Sequence, residues 1–187
     1  KGILHKRFGK QEERPLFEHS DLKRESSKFL REYPIVLSTT FSALGNVSQD
    51  VKFDYLIMDE ASQVDLATGA LALYSAQNAV IVGDLKQLPN VVTEEMKRIT
   101  DALFKEYDLL EGFRYSDNSF LKSLTVLLPH VPSVLLREHY RCHPLIIGFC
   151  NKKFYGGDLV VMTTSQEGDK AIHIVRTVAG NHARGKE

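Results

Sequence analysis

Residues 53–60 read Phe53-Asp54-Tyr55-Leu56-Ile57-Met58-Asp59-Glu60, a mostly apolar run that ends in two acids. A second apolar run covers residues 78–82 and is followed by Gly83-Asp84, and the pattern between the two runs favours a helix at residues 65–74. Short apolar strands that alternate with helices are typical of a parallel sheet whose two faces are covered. The sequence therefore predicts an α/β fold in which helices flank a parallel sheet.

The same alternation extends in both directions from this centre. Further short apolar runs predict strands at residues 34–38, 133–136 and 172–175. Helical patterns cover residues 20–33, 93–107, 118–128 and 144–154, with Ser20 and Thr93 as expected N-caps and Pro144 in a first turn.

Bulk composition restricts the class of protein. The chain has 24 Lys and Arg against 24 Asp and Glu, so any nucleic-acid surface must be local, although residues 1–31 hold nine basic and five acidic side chains. No apolar stretch reaches the roughly 20 residues that span a bilayer, so no membrane partner is expected. Two cysteines are too few for a disulfide framework, which favours a reducing, intracellular (cytoplasmic) location. Because the chain starts at Lys1 and not at a methionine, we expect an excised piece of a longer protein.

Polar side chains follow three of the predicted strands, at Ser38-Thr39-Thr40, Asp59-Glu60 and Gly83-Asp84. Parallel sheets bind their ligands at the carboxyl ends of the strands. The two acids suit a Walker-B pair, in which one acid holds Mg²⁺ through water and the other deprotonates the attacking water. The alternative is a turn aspartate followed by a helix-capping glutamate. Gln87 offers an amide that can contact a phosphate oxygen and a water together, the alternative being an ordinary loop residue.

Three motifs together resemble those of superfamily 1 helicases, in the branch of the nonsense-mediated-decay helicase and its bacterial relatives. They are motif II, Asp59-Glu60-Ala61-Ser62-Gln63; motif III, Gly83-Asp84-Leu85-Lys86-Gln87-Leu88-Pro89; and motif IV, Tyr140-Arg141-Cys142-His143-Pro144. The resemblance covers about residues 34–160. It implies a P-loop NTPase with RecA-like domains, in which residues 34–137 are the later half of the first motor domain and residues 138–187 the start of the second. Residues 1–33 would be a charged helical lead-in.

The resemblance implies roles in ATP hydrolysis for four residues. Asp59 would hold Mg²⁺ through water, and Glu60 would be the catalytic base. Gln87 would sense the γ-phosphate of ATP. Arg141 would be an arginine finger, which neutralises charge on the transferring phosphoryl group and is worth roughly 10³–10⁵ in rate. The alternative for Arg141 is an ion pair with Glu138.

Other residues are implied to contact the ligands less directly. Gly83-Asp84 and Tyr140 would line the nucleotide pocket, although a core position suits Tyr140 nearly as well. The hydroxyls of Ser38-Thr39-Thr40 would contact the nucleic-acid backbone, with helix capping as the alternative. Phe41 is expected in the core, and stacking on a base is its alternative.

His139, Cys142 and His143 lie close together in the sequence. Their H-x-x-C-H spacing matches no closed tetrahedral metal site, and no fourth ligand is evident. We therefore expect a structural role for His143, next to Pro144.

The motif that would grip the phosphates is missing, since no stretch matches G-x-x-x-x-G-K-[ST]. Phosphates are held mainly by the backbone amides and the lysine of that loop. This chain alone is therefore expected to bind ATP weakly or not at all, and to be inactive.

The function expected from these features is part of an ATP-dependent helicase or translocase that moves on single-stranded DNA or RNA. One alternative is a non-catalytic helicase-like module that binds nucleic acid or protein. Another is a different P-loop enzyme, such as a nucleotide kinase, against which motif IV argues. Because a chain cut across two domains exposes sheet edges, self-association is also expected.

Overall fold

A computed structural model of the chain describes residues 16–18, 20–45, 47–48, 51–166 and 168–175. The described residues fall into two compact units, one up to Val131 and one from Pro132 onward. Residues 1–15 and 19 of the expected lead-in lie outside the described part. The assignment of the chain to parts of two RecA-like domains stays a prediction.

The first unit is built around a parallel pair of strands joined by a helix. In chain order its elements are α1 (Asp21–Arg24), α2 (Ser26–Glu32), β1 (Phe53–Met58), α3 (Leu66–Tyr74), β2 (Ala76–Ile81), α4 (Glu94–Glu106) and α5 (Phe120–Leu127), with 3-10 turns at Ala61–Gln63 and Glu111–Phe113. β1 and β2 run parallel, with Ile57 opposite Val80 and Met58 opposite Ile81. Parallel strands need a crossover connection, which α3 supplies here. The α/β class with a parallel sheet is thereby confirmed.

Side-chain caps set the starts of the helices around this sheet. Asp65, Thr93 and Ser119 accept hydrogen bonds from backbone N–H groups three residues later, at 3.0, 3.3 and 3.3 Å. Such caps satisfy donors that the first helical turn leaves unpaired. The expected cap at Thr93 is confirmed. No helix among the described residues has the length and apolar character needed to cross a membrane.

The core of the first unit lies between one face of the sheet and α5. Met58, Ala61, Ala72 and Phe120 are buried together, and partly buried apolar residues surround them. α5 approaches α3 closely, because a Cβ built on Gly69 would lie 2.3 Å from the ring of Phe120. A glycine is therefore needed where the ring crosses the helix.

The opposite face of the sheet is open among the described residues. Ile57 is 72% exposed, and its cross-strand neighbour Val80 is 48% exposed. Tyr55, two residues before Ile57 and on the same face, is also exposed. The predicted covering of both faces is thus found on one face only within the described ranges.

The second unit repeats the strand-helix-strand arrangement on a smaller scale. β3 (Glu138–His139) and β4 (Val160–Val161) pair in parallel, and α6 (Pro144–Phe154) connects them. α6 has the predicted bounds, with Pro144 in its first turn. Proline is favoured there because its missing N–H has no helical partner.

Three of the predicted strands are wrong. Residues 34–38, 133–136 and 172–175 have no regular structure, and apolar side chains such as Leu37, Val134 and Ile174 are exposed. Apolar, β-branched sequence favours a strand only where a neighbouring strand completes the ladder. None of these segments has such a neighbour among the described residues.

The helix predicted over residues 20–33 is also interrupted. It breaks at Glu25, whose φ of −124° and ψ of 40° separate α1 from α2. Ser20 occupies the N-cap position of α1 without a side-chain capping bond, so the cap predicted there is wrong. Its backbone is helical, with φ −66° and ψ −26°, and a capping residue normally has an extended backbone.

Candidate active site

Asp59 and Glu60 form the turn that leaves the carboxyl end of β1, and both side chains are exposed. Glu60 has φ 52° and ψ 37°, a left-handed conformation that costs a non-glycine residue about 1–3 kcal/mol. Oδ1 of Asp59 accepts a hydrogen bond from the N–H of Glu60 at 2.9 Å. Glu60 makes no side-chain capping bond to the 3-10 turn that follows, so the helix-capping alternative is wrong. The turn instead presents two carboxylates to solvent.

Buried residues fasten this turn to the neighbouring strand. Ala61 and Ser62 directly follow the two acids and are almost fully buried. The N–H of Ala61 donates to the carbonyl of Val82 at 2.9 Å, and the N–H of Val82 donates to the carbonyl of Met58 at 2.8 Å. The backbone bonding of the parallel pair therefore continues past the strand ends. It holds the acid pair beside the residues that follow Val82.

Gly83 lies directly against the acid turn. A Cβ built on Gly83 would lie 3.1 Å from the backbone nitrogens of both Ala61 and Ser62, and 3.0 Å from Cδ2 of Leu121. Backbone atoms cannot move away by a change of rotamer, so a side chain here would displace the turn. Glycine permits this close approach of two backbone segments.

The loop of residues 83–90 is anchored at both ends. Near its start, Oδ1 of Asp84 accepts from the N–H of Lys86 at 2.8 Å, and Oδ2 of Asp84 accepts from Nε2 of Gln87 at 3.3 Å. At its end, the N–H of Asn90 donates to the carbonyl of Ser62 at 3.1 Å. Asp84 therefore orients Gln87, a role that the sequence analysis missed. The signal was present, because an aspartate that accepts from the backbone two residues later is a common turn former.

Five of the predicted site residues therefore share one edge of the sheet. Two hydrogen-bonded segments, the acid turn and the 83–90 loop, carry them: Asp59, Glu60, Gly83, Asp84 and Gln87. The donor set contains carboxylate and amide oxygens, which are hard ligands of the kind that Mg²⁺ prefers. This edge can therefore gather a cation, a water and a phosphate oxygen.

A cavity of about 250 Å³ lies near this edge, between the capped starts of α3 and α4, and Asp65 and Tyr115 contribute to its wall. Burial alone would raise the pKa of Asp65, but hydrogen bonds from Thr68 and Tyr115 hold it below its ordinary value. Asp65 is thus a carboxylate at neutral pH. None of the predicted site residues lines this cavity, so it is not the candidate nucleotide site.

Ser38 and Thr39 directly precede the turn over residues 40–45, and Thr40 is its first residue. Oγ1 of Thr39 accepts from the N–H of Ser42 at 3.3 Å. The residues directly after Thr40 form a turn and not a helix, so the helix-capping alternative is wrong. Phe41 is 85% exposed, and its expected core position is therefore also wrong. The ring of Phe41 is thus open to solvent, whereas Oγ of Ser38 donates to the carbonyl of Thr39 at 3.0 Å and Oγ1 of Thr39 donates to Oγ of Ser42 at 3.2 Å.

Motif IV lies in the second unit, between β3 and α6. Tyr140 is 65% exposed, so the core alternative for this residue is wrong. Its hydroxyl donates a hydrogen bond to the carboxylate of Glu138, and this bond raises the pKa of Tyr140. Arg141 is exposed and forms no ion pair with any described residue. The ion pair between Arg141 and Glu138 is therefore not formed.

His143 of motif IV and His139, which comes directly before the motif, both accept backbone N–H groups. Nδ1 of His143 accepts from the N–H of Leu145 at 3.2 Å and so caps α6, which confirms the structural role expected next to Pro144. Nε2 of His139 accepts from the N–H of Cys142 at 2.8 Å. Among the described residues no group of three or more His, Cys, Asp or Glu side chains is placed to hold a metal ion.

Comparison with known proteins relates the chain to ATP-dependent helicases. Residues 5–95 match the model of a family described as an AAA domain. The chain is 30% identical over 140 residues to the 5'-3' DNA helicase ZGRF1 of Mus musculus, a match that covers 74% of this chain and 7% of the relative.

Two further relatives carry helicase names. An uncharacterized ATP-dependent helicase of Mycoplasma pneumoniae, the MG140 homolog, is 32% identical over 152 residues, covering 78% of this chain and 13% of the relative. Helicase sen1 of Schizosaccharomyces pombe is 28% identical over 142 residues, covering 74% of this chain and 8% of the relative. The chain thus spans only about a tenth of the length of these proteins. It is a homologue of the superfamily 1 helicases and shares their P-loop NTPase fold class.

Proposed function

We propose that this chain is the part of an ATP-dependent helicase or translocase that cleaves the γ-phosphate of ATP and couples the cleavage to movement on single-stranded nucleic acid. One observation carries the proposal. The acid turn of Asp59 and Glu60 is bonded through Ala61 and Ser62 to the strand end and loop that carry Gln87. We therefore expect a change at one segment to alter the position of the other.

The acid turn would hold the metal and activate the water. Asp59 uses Oδ1 to accept from the backbone, which leaves Oδ2 available for a water of a hydrated Mg²⁺. When bound, Mg²⁺ neutralises charge on the β- and γ-phosphates. Glu60 is exposed beside Asp59 and would take the proton of the attacking water.

The 83–90 loop would detect the state of the γ-phosphate. The amide of Gln87 is held by Asp84, so it has a defined orientation before any ligand arrives. Pre-oriented dipoles stabilise developing charge more strongly than mobile ones, because no reorganisation is needed during the reaction. Gly83 permits the loop to lie against the acid turn.

Arg141 would supply positive charge to the transferring phosphoryl group. It has no acidic partner among the described residues, whereas Glu138, the candidate partner, accepts a bond from Tyr140. A guanidinium that is not engaged elsewhere can bind a phosphate oxygen without first breaking an ion pair.

The track would be contacted by the turn after residue 37. Ser38, Thr39 and Thr40 carry hydroxyls of the kind that bind phosphate oxygens, and those of Ser38 and Thr39 would exchange their bonds within the chain for the phosphate. Exposed Phe41 can stack on a base. Both kinds of contact are independent of sequence, as a translocating motor requires. They serve DNA and RNA equally.

This chain alone would not hydrolyse ATP, because it has no G-x-x-x-x-G-K-[ST] loop to hold the phosphates. On its own it would also self-associate. The open face of the sheet at Tyr55, Ile57 and Val80 is apolar, and a parallel sheet is stable when both of its faces are covered.

The decisive test replaces Glu60 by glutamine in the whole protein. Glu60→Gln keeps the shape of the side chain and removes its basicity, so we expect the rate of ATP hydrolysis to fall by about 10²–10⁴-fold with ATP binding retained. A malachite-green phosphate assay measures turnover, and a fluorescent ATP analogue measures binding. Glu95→Gln, an exposed glutamate in the first turn of α4, is the matched control and should hydrolyse ATP at the wild-type rate. Undiminished hydrolysis by Glu60→Gln would refute the assignment of the base.

A further inference from the structure

Two histidines bracket Arg141 and bond to the backbone on its carboxyl side. His139 belongs to β3, where its carbonyl accepts from the N–H of Met162 at 2.9 Å, so its backbone is held in the small sheet. Nε2 of its ring accepts from the N–H of Cys142, three residues later, at 2.8 Å. That N–H belongs to the peptide group that follows Arg141. The bond therefore fixes the plane of this peptide and with it the backbone of Arg141.

Further hydrogen bonds hold the next two residues, Cys142 and His143. The carbonyl of Cys142 accepts from Oγ1 of Thr163 at 2.7 Å. Nδ1 of His143 accepts from the N–H of Leu145, and Nε2 of His143 lies 3.4 Å from Oδ2 of Asp169, without the alignment of a hydrogen bond. The backbone after Arg141 is thus bonded to the segment that follows β4 and to the start of α6. Arg141 itself stays exposed and unpaired within the described residues.

We propose that His139 and His143 are positioning residues for Arg141. The ring of His139 accepts the N–H of Cys142 in the turn, and the ring of His143 accepts the N–H of Leu145 in the first turn of α6. Together they set the direction in which the side chain of Arg141 leaves the backbone. The proposal rests on the role of Arg141 given above, since positioning has a consequence only if the guanidinium acts on the phosphoryl group. A displacement of a catalytic group by about 1 Å can lower the rate about 10²-fold. The two histidines would therefore contribute to the rate of ATP hydrolysis by holding Arg141 in place.

The two bonds require opposite tautomers, because an accepting ring nitrogen carries no proton. His139 accepts at Nε2 and must carry its proton on Nδ1, whereas His143 accepts at Nδ1 and must carry its proton on Nε2. Imidazole ¹⁵N spectra of the chain at neutral pH, assigned with His139→Gln and His143→Asn, distinguish the two forms. One ring of each tautomer is the expected result. The same tautomer in both rings would overturn the proposal.

Steady-state kinetics of ATP hydrolysis by the whole protein test whether His139 and His143 affect catalysis. We expect His139→Ala and His143→Ala each to lower kcat for ATP hydrolysis about 10–100-fold, with the KM for ATP changed by less than about twofold. A loss confined to kcat is expected because the arginine acts in the transition state. His173→Ala, an exposed histidine of the same unit, is the control and should leave kcat unchanged.

Rescue by the correct amide separates positioning from a general need for a histidine. A glutamine places its acceptor oxygen at about the reach of Nε2, and an asparagine at about the reach of Nδ1. His139→Gln and His143→Asn should therefore recover most of the lost kcat. The crossed variants His139→Asn and His143→Gln should not. Equal rescue by both amides at either position would overturn the proposal.

The same histidine substitutions in an Arg141→Ala protein distinguish the positioning role of the histidines from the role of Arg141 itself. Arg141→Ala should lower kcat about 10³-fold or more, and adding His139→Ala or His143→Ala should then cause no further loss. A further full loss in that background would overturn the positioning role and leave the arginine finger in place. An Arg141→Ala protein with wild-type kcat would overturn the arginine finger and the positioning role together.

Discussion

At the scale of single residues, two buried serines differ in their hydrogen bonding: Ser62, in the 3-10 turn before α3, and Ser75, directly after α3. Ser62 is 1% exposed, and its Oγ has no hydrogen-bond partner among the described residues. Ser75 is 4% exposed, and its Oγ donates to the carbonyl of Ala72 at 2.6 Å. Ser62 lies between the acid turn and the 83–90 loop, so a buried hydroxyl without a partner is found where those two segments meet.

This difference predicts opposite effects of the same substitution. Ser75→Ala should lower the free energy of unfolding by about 1 kcal/mol, the usual net value of a hydrogen bond. Ser62→Ala should be neutral or slightly stabilising, because it removes a buried polar atom that makes no bond. Urea unfolding curves of the two variants and the wild type measure both. A larger loss for Ser62→Ala than for Ser75→Ala would mean that the Ser62 hydroxyl has a partner.

At the scale of elements, α3 depends on a charged cap. Asp65 accepts from both the N–H and Oγ1 of Thr68, at 3.0 and 2.6 Å. Burial raises the pKa of Asp65, but these bonds and one from Tyr115 outweigh that effect, so its pKa in the folded chain is lowered. A negative charge at a helix start also interacts favourably with the helix dipole.

The lowered pKa predicts how stability depends on pH. Stability that comes from the Asp65 carboxylate is present above its unfolded-state pKa of about 3.9 and is lost as the pH falls through the lower folded-state value. Asp65→Asn keeps a capping side chain but does not titrate, so wild type should be the more stable protein at neutral pH and the difference should shrink in acid. Thermal unfolding between neutral and acidic pH measures this.

A second variant tests the cause of this pH dependence. Thr68→Val removes the hydroxyl that donates to Asp65, so it should weaken the pH dependence relative to wild type. Stability curves of wild type and Asp65→Asn that run parallel at every pH would contradict the charged cap.

At the scale of the whole molecule, one face of the β1–β2 sheet carries apolar side chains that no described residue covers. Tyr55, Ile57 and Val80 are exposed there, whereas the opposite face packs against Phe120 and its neighbours. Clustered exposed apolar side chains on a sheet favour association. A second copy of the chain offers a surface of the same character.

We therefore expect the chain to form species larger than its 21.1 kDa monomer as its concentration rises. Ile57→Asp should shift the population towards the monomer, because a carboxylate cannot be buried in an apolar contact without a partner. Leu71→Asp, at an exposed position of α3, is the control and should associate as the wild type does. Light scattering over a concentration series measures the mass. A wild-type chain that stays monomeric throughout would contradict this expectation.

The sequence by itself determined the elements whose signals lie within a few residues of one another. β1 at residues 53–58 is found at its predicted bounds, as is α6 at residues 144–154, and the cap at Thr93 is also confirmed. Apolar runs, capping side chains and a first-turn proline act within a few residues, so they can be recognised in one sequence. The order of the motifs likewise indicated the helicase relationship, which the comparisons confirm.

Only the tertiary structure decided which apolar runs became strands and how the site is held together. Residues 34–38 carry a strand-like pattern without a ladder partner among the described residues, while β3 and β4 have two residues each, too few for a pattern to be seen. The steric need for Gly83 arises against Ala61 and Ser62, more than 20 residues away in the chain. Such contacts depend on which segments meet after folding, and no local pattern records that.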